Sequence, residues 1–265
     1  MSVQTPPSAP TTAYWTELMR DKAAADFSPE FNPECLGKYH PVLAHEPATG
    51  KYHPRTRFGY RADELHRLDE HLSSAGIQLD RVLCHVDADA SPWEAIQALC
   101  AALPLSHITS LDIVVSLPGV DEALQTERAT EAVFAAALAP DIRLFLDPLV
   151  DLDRTNDVNF GLLDRLSNPR SAFHAVRCLN SILFGTREDF TPIQDAPGAL
   201  GIESKRGRHW LVLKPDQAID PSAFESDQVS VYDLVRSMSR KVDKAELGAI
   251  LTGLEQPCLI RDFSR

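Results

Sequence analysis

The feature that most constrains this fold is a recurring strand followed by a helix. Apolar segments begin at Arg81 (RVLCHVDA), Leu111 (LDIVVSLPG) and Ile142 (IRLFLDPLV), and a helical pattern follows each. Ser91-Pro92-Trp93-Glu94 opens the first helix. A serine hydroxyl there accepts from free N–H groups, and proline loses nothing at the first helical position. DEALQTERATEAVFAAALA (121–139) is Ala-rich and forms the second helix. Asn168-Pro169 opens the third, RSAFHAVRCLNSILF, which stops at Gly185. Strands this apolar need cover on both faces, and a crossover helix every roughly thirty residues supplies it. The expectation is an α/β core of parallel βα units, with a small β-rich module after it.

That period divides the chain into three. Residues 1–61 read as an N-terminal arm and an irregular region rich in Pro, Gly, His and Tyr. A helical signal begins near Ala13, and GKYHP occurs twice, at 37–41 and 50–54, as two similar turns or a hairpin. Residues 62–189 hold the repeat, preceded by RADELHRLDEHLSSAG, whose Leu65, Leu68 and Leu72 share one helical face. Residues 190–265 change character. REDFTPIQDAPGALG reads as a loop, and RHWLVLKP, QVSVYDLV and PCLIRD read as strands without long helices between them, KAELGAILTGL being the one helical stretch.

A net charge of −12 disfavours nucleic acid and anionic membrane as partners. No apolar run reaches the length of a membrane span, and MSVQTPPSAPTTAYW lacks the basic and apolar regions of a signal peptide. The five cysteines (Cys35, Cys84, Cys100, Cys178, Cys258) are scattered and form no CxxC, so they read as reduced thiols of a cytoplasmic protein. No cofactor is expected.

In parallel βα folds, ligands bind at the C-terminal ends of the strands. Three places qualify. The first is His85, Asp87 and Asp89, which alternate along one side of a continued strand. They suit a divalent cation or an acid/base pair, and equally a core histidine with Asp89 capping the next helix. The second is Ser116 in VSLPG, which lacks the GxSxG pattern of a nucleophile elbow. The third is LFLDPLVDLDRTNDVNFGLLDRLSNPR, with Asp147 at the strand end, then Asp151 and Asp153 with Arg154 beside them. Such a cluster suits sugar hydroxyls, or a structural loop held by Asx turns and Asp–Arg pairs. His174 and Arg177 read as packing or surface residues.

The third stretch also carries a likeness. A strand ending in Asp147, then Asp151-x-Asp153-Arg154, then Gly161-Leu162-x-Asp164-Arg165-x-x-Asn168-Pro169-Arg170, and a helix with Leu179-Asn180, resembles the last strand and helix of barrel-type carbohydrate-active enzymes. It is most similar to the barrel domain of sugar-acid lactonases of the D-apionate type, and more distantly to clan-A glycoside hydrolases. The resemblance implies a TIM barrel followed by a β-rich module, a carbohydrate ligand, and structural roles for Asp164 and Arg165. It does not supply the strand-end glutamates of the glycosidases, so aspartates stand in their place.

Three functions follow as expectations. In the first, the chain is a carbohydrate-active hydrolase of a sugar or sugar-acid lactone, with Asp87 and Asp147 catalytic and His85, Asp151, Asp153 and Arg154 binding substrate. In the second, it binds a ligand or partner through the same loops without catalysis. The third is a metal-dependent enzyme using His85, Asp87 and Asp89. An incomplete barrel leaves sheet edges open, which a second copy of the chain would cover as a homo-oligomer.

Overall fold

A computed structural model describes residues 81–87, 91–102, 110–118, 121–139, 142–154, 157–159, 161–185, 188–193, 196, 198–215 and 220–263. The helical signals and the GKYHP pair read before Arg81 lie outside the described residues. The chain divides into two compact units.

Among the described residues, the first unit takes in 81–87, 98–102, 110–114 and 142–145. Its described part is built on a three-stranded sheet. β1 (Arg81–Asp87), β2 (Ser110–Ser116) and β3 (Ile142–Asp147) hydrogen-bond in the order β1-β2-β3. Cys84 and Val86 of β1 are buried, as are Leu111, Asp112 and Ile113 of β2. β3 behaves differently. Its residues alternate between half-buried (Ile142, Leu144, Leu146) and exposed (Arg143, Phe145, Asp147). It is an outer strand with one face turned to water.

Among the described residues, the second unit takes in 91–97, 115–118, 121–139 and those from 146 onward. α1 (Pro92–Ala102) begins in it. The Ser91 hydroxyl accepts from the Glu94 N–H at 3.4 Å, as an N-cap should. α2 (Glu122–Ala136) is capped by Asp121, whose Oδ1 accepts from the Ala123 and Leu124 N–H groups at 2.9 and 3.3 Å. α2 is buried nearly all round, which its small side chains Ala129, Ala132, Ala135 and Ala136 permit. Thr126 and Thr130 return their hydroxyls to carbonyls one turn back, so burying them strands no donor. α3 (Ser171–Phe184) packs against α2 and buries one stripe, Ala172, Ala175, Leu179 and Leu183. β4 (Leu152–Arg154) and β5 (Asp157–Asn159) form a short antiparallel pair.

The remainder is a six-stranded antiparallel sheet. β6 (Thr191–Pro192), β7 (Ala199–Ser204), β8 (Gly207–Val212), β9 (Gln228–Asp233), β10 (Met238–Asp243) and β11 (Cys258–Asp262) stand in the order β10-β9-β11-β8-β7-β6. The last strand in sequence is therefore central, with β8 on one side and β9 on the other. α4 (Leu247–Leu251) joins β10 to β11 and lays Leu247 and Leu251 on a core of Trp210, Val212, Phe224, Val231, Val242 and Ile260. Gly207 turns β7 into β8 at φ +139, and a Cβ there would collide with the Asp262 carbonyl.

This architecture corrects the expected parallel, TIM-barrel-like core. A (β/α)₈ barrel closes eight parallel strands. The described residues hold a small sheet of three strands and a larger, wholly antiparallel one. The βα period stops after β3, and hairpin chemistry takes over. The stretch read as a loop after Gly185 contributes β6 and the start of β7, and β10 went unread because its exposed side chains, Met238, Ser239, Arg240 and Lys241, show no apolar alternation.

Candidate functional site

β3 carries the site, because it holds the strand-end Asp147 and an exposed face. Asp147 is the last residue of the strand, and its peptide bond to Pro148 is cis. Its carbonyl accepts from the Leu117 N–H at 2.7 Å, while the side chain points to solvent. The strand does not continue, so Asp151 and Asp153 do not extend the alternation from Asp147.

Asp151 instead closes a turn. Its Oδ1 accepts from the Gly161 N–H at 2.8 Å, and its Oδ2 accepts from Arg170 Nη2 at 2.7 Å. Its side chain is 8% exposed. Burial pushes its pKa up, but the Arg170 and Gly161 hydrogen bonds outweigh this and hold it below the usual carboxylate range. Arg170 is raised in turn, chiefly by its hydrogen bond to Asp151. Around the pair, Leu163 N–H donates to the Leu149 carbonyl (2.8 Å), Asp151 N–H to Leu163 (3.0 Å) and Arg170 N–H to Leu162 (3.0 Å). Gly161 is required, since a Cβ would meet the backbone of Val150, Asp151 and Leu149 within 2.7 Å. Asp164 holds the next turn. It accepts from the Leu166 and Asn168 N–H groups and from Asn168 Nδ2, each at 2.8 Å, and the Asn168 side chain leads in lowering its pKa.

The exposed face of β3 is organised by a contact that sequence reading missed. Arg143 Nε donates to Asp112 Oδ1 at 2.7 Å and Nη2 to Oδ2 at 2.5 Å, a two-pronged pair. The Asp112 side chain is 2% exposed and that of Arg143 is 56% exposed. Asp112 thus fixes the guanidinium of a side chain that stays largely in solvent. The same guanidinium lies 6.0 Å from the Phe145 ring centroid, and Phe145 is 45% exposed. The available signal was an aspartate inside the apolar run LDIVVSL and an arginine inside the run IRLFL, one strand later.

Other candidates are placed less completely. His85 and Asp87 lie on β1, Asp87 as its last residue, but their side chains are outside the described residues, as is Asp89. Asp153 and Arg154 sit on β4, with backbones opposite Val158 and Asp157 and side chains likewise outside the description. Ser116 ends β2 half-buried, and His174 is half-buried on α3, in keeping with packing. Among the described residues, no group of three His, Cys, Asp or Glu side chains is placed to hold a metal ion. Cys84, Cys100, Cys178 and Cys258 are free thiols. Burial leads in raising the pKa of each, Cys100 to about 11 and Cys258 to about 12, so they are poor nucleophiles. No described helix is long and apolar enough to cross a membrane.

Sequence reading also missed Glu131. Its carboxylate, 1% exposed, accepts from the Ser91 hydroxyl, from the Trp93 N–H at 3.2 Å and from Arg128 Nη1 at 2.8 Å. A buried charge from α2 thus caps the positive end of α1. Compared with models of known protein families and with curated proteins, the chain matches none.

Proposed function

We propose that the chain binds a carbohydrate-like small molecule on the exposed face of β3 and does not turn it over. The observation that carries this reading is the division of labour among the carboxylates. Asp151 is spent on Arg170 and Gly161, and Asp112 on Arg143. Hydrolysis of a glycosidic bond needs two carboxyls that flank it, one of them free to carry a proton. Asp147 is an exposed carboxylate, and a salt-bridged Asp151 does not serve as its partner; the side chain of Asp87, the partner expected from sequence, lies outside the described residues.

The residues of that face suit binding. The exposed Phe145 ring offers an apolar plane for the C–H face of a sugar. Arg143, held by Asp112, offers a donor at a fixed angle, so little side-chain freedom is lost when a ligand accepts from it. The test is a thermal-shift panel of sugars, sugar acids and sugar-acid lactones, with product followed in the same samples. Stabilisation by a panel member without product supports the reading, and a ligand at 100 times its Kd should add about 2.7 kcal/mol. Turnover that disappears in both Asp87→Asn and Asp147→Asn replaces it with the hydrolase reading.

A further inference from the structure

α4 sets Leu247 and Leu251 in one core with Val229, Val242 and Ile260, and Ile250 and Leu254 pack against that core while only partly buried. There a groove of about 380 Å³ opens between β10 and the end of α4. Val231, Met238, Ala249, Ile250 and Leu254 line it, and Met238 is 65% exposed. Two arginines stand at the same groove. Arg236 is paired, its Nη1 lying 3.6 Å from Asp233 Oδ2. Arg240 is exposed and has no ion-pair or hydrogen-bond partner among the described residues. It shares a strand face with Met238 and Val242, because alternate residues of β10 point the same way.

We infer that this groove binds a small amphipathic carboxylate, its apolar tail against Ile250 and Leu254 and its carboxylate on Arg240. Charge complementarity selects the occupant. The chain carries a net charge of −12, so an unpaired arginine over apolar lining is a local exception that favours an anion. The volume falls in the range of small-ligand sites, about 300–1,000 Å³. A second copy paired edge to edge along β10 is disfavoured, since it would set Arg240 and Lys241 against their own counterparts. A sugar lacks the apolar surface the groove would bury.

The full chain is titrated with octanoate and, separately, with octan-1-ol, both below micellar concentration. The readout is the methyl resonance of Met238, one of three methionines. The expected result is a saturable shift of that resonance, with octanoate binding about tenfold more tightly than the alcohol. Arg240→Gln should bring the two affinities together and leave the alcohol's unchanged. Leu254→Glu should weaken octanoate more than the alcohol. The inference is overturned by no saturable shift at Met238, by equal affinities in the wild type, or by an Arg240→Gln variant that keeps the preference.

Discussion

Replacing Asp151 with Asn tests whether the aspartate-rich loop is a structural clasp. The carboxylate accepts two hydrogen bonds, from Gly161 N–H and Arg170 Nη2, and 8% of its side chain is exposed. An amide has one acceptor oxygen, so one of the two donors would face an NH₂ group. A hydrogen bond to a charged group contributes about 1.5–3 kcal/mol, and breaking a buried pair costs about 3–5 kcal/mol. Arg170 keeps 22% of its side chain in solvent, where it can recover hydration, so the lower end applies. The expected loss is about 2–3 kcal/mol, or a Tm drop of about 4–12 °C for a chain of this size. The folded pKa of Asp151 is lowered, so its contribution is present above the unfolded carboxylate value. It fades as pH falls through the folded value. The gap in Tm between wild type and Asp151→Asn should therefore be widest at neutral pH and close as the pH falls. An Asn variant that melts with the wild type at neutral pH would refute the clasp.

Three further outcomes follow from the same contacts. His209 is buried, and burial followed by the Arg261 charge lowers its pKa to about 4 from 6.5. The unfolded state therefore gains the proton first, and about 3 kcal/mol of stability should be lost between pH 6.5 and 4; urea titrations across that range would show it, and His209→Phe should flatten the slope. Gly161→Ala pushes a methyl into the backbone of Val150 and should cost about 1–3 kcal/mol, read from the shift in the urea midpoint. Glu131→Gln removes the charge that caps α1 from α2 and should cost about 2 kcal/mol, with faster hydrogen exchange at the Trp93 and Glu94 amides than elsewhere in the second unit.

Local signals were legible and long-range ones were not. The starts of β1, β2 and β3 and the Ser91-Pro92 helix start are visible in sequence because apolar runs and capping residues act over a few neighbours. So is the end of α3 at Gly185. The direction of pairing is not local. β11 reads as one apolar strand, PCLIRD, but nothing in it reveals that it slots between β8 and β9. Three βα units in a row, together with the likeness to barrel enzymes, therefore suggested a barrel that the described residues do not build. Ionic pairs were invisible for the same reason. Asp112 and Arg143 are 31 positions apart, and Asp151 and Arg170 are 19 apart. β3 ends at Asp147, so Asp151 and Asp153 lie beyond it and share no strand face with it. Asp164 was the exception, since its turn is made with Leu166 and Asn168, within its own loop.

The central claim, binding on β3 without turnover, is tested most directly by titrating wild-type protein and Phe145→Ala with the strongest binder from the sugar panel. Heat of binding and the NMR spectrum of the ligand are recorded together. Phe145 is 45% exposed, so its removal leaves the core intact. The account predicts saturable binding, a ligand spectrum unchanged over hours, and affinity lowered about two- to tenfold in the variant, the worth of one lost stacking contact. Conversion of the ligand by wild-type protein, or equal affinity in Phe145→Ala, would contradict it.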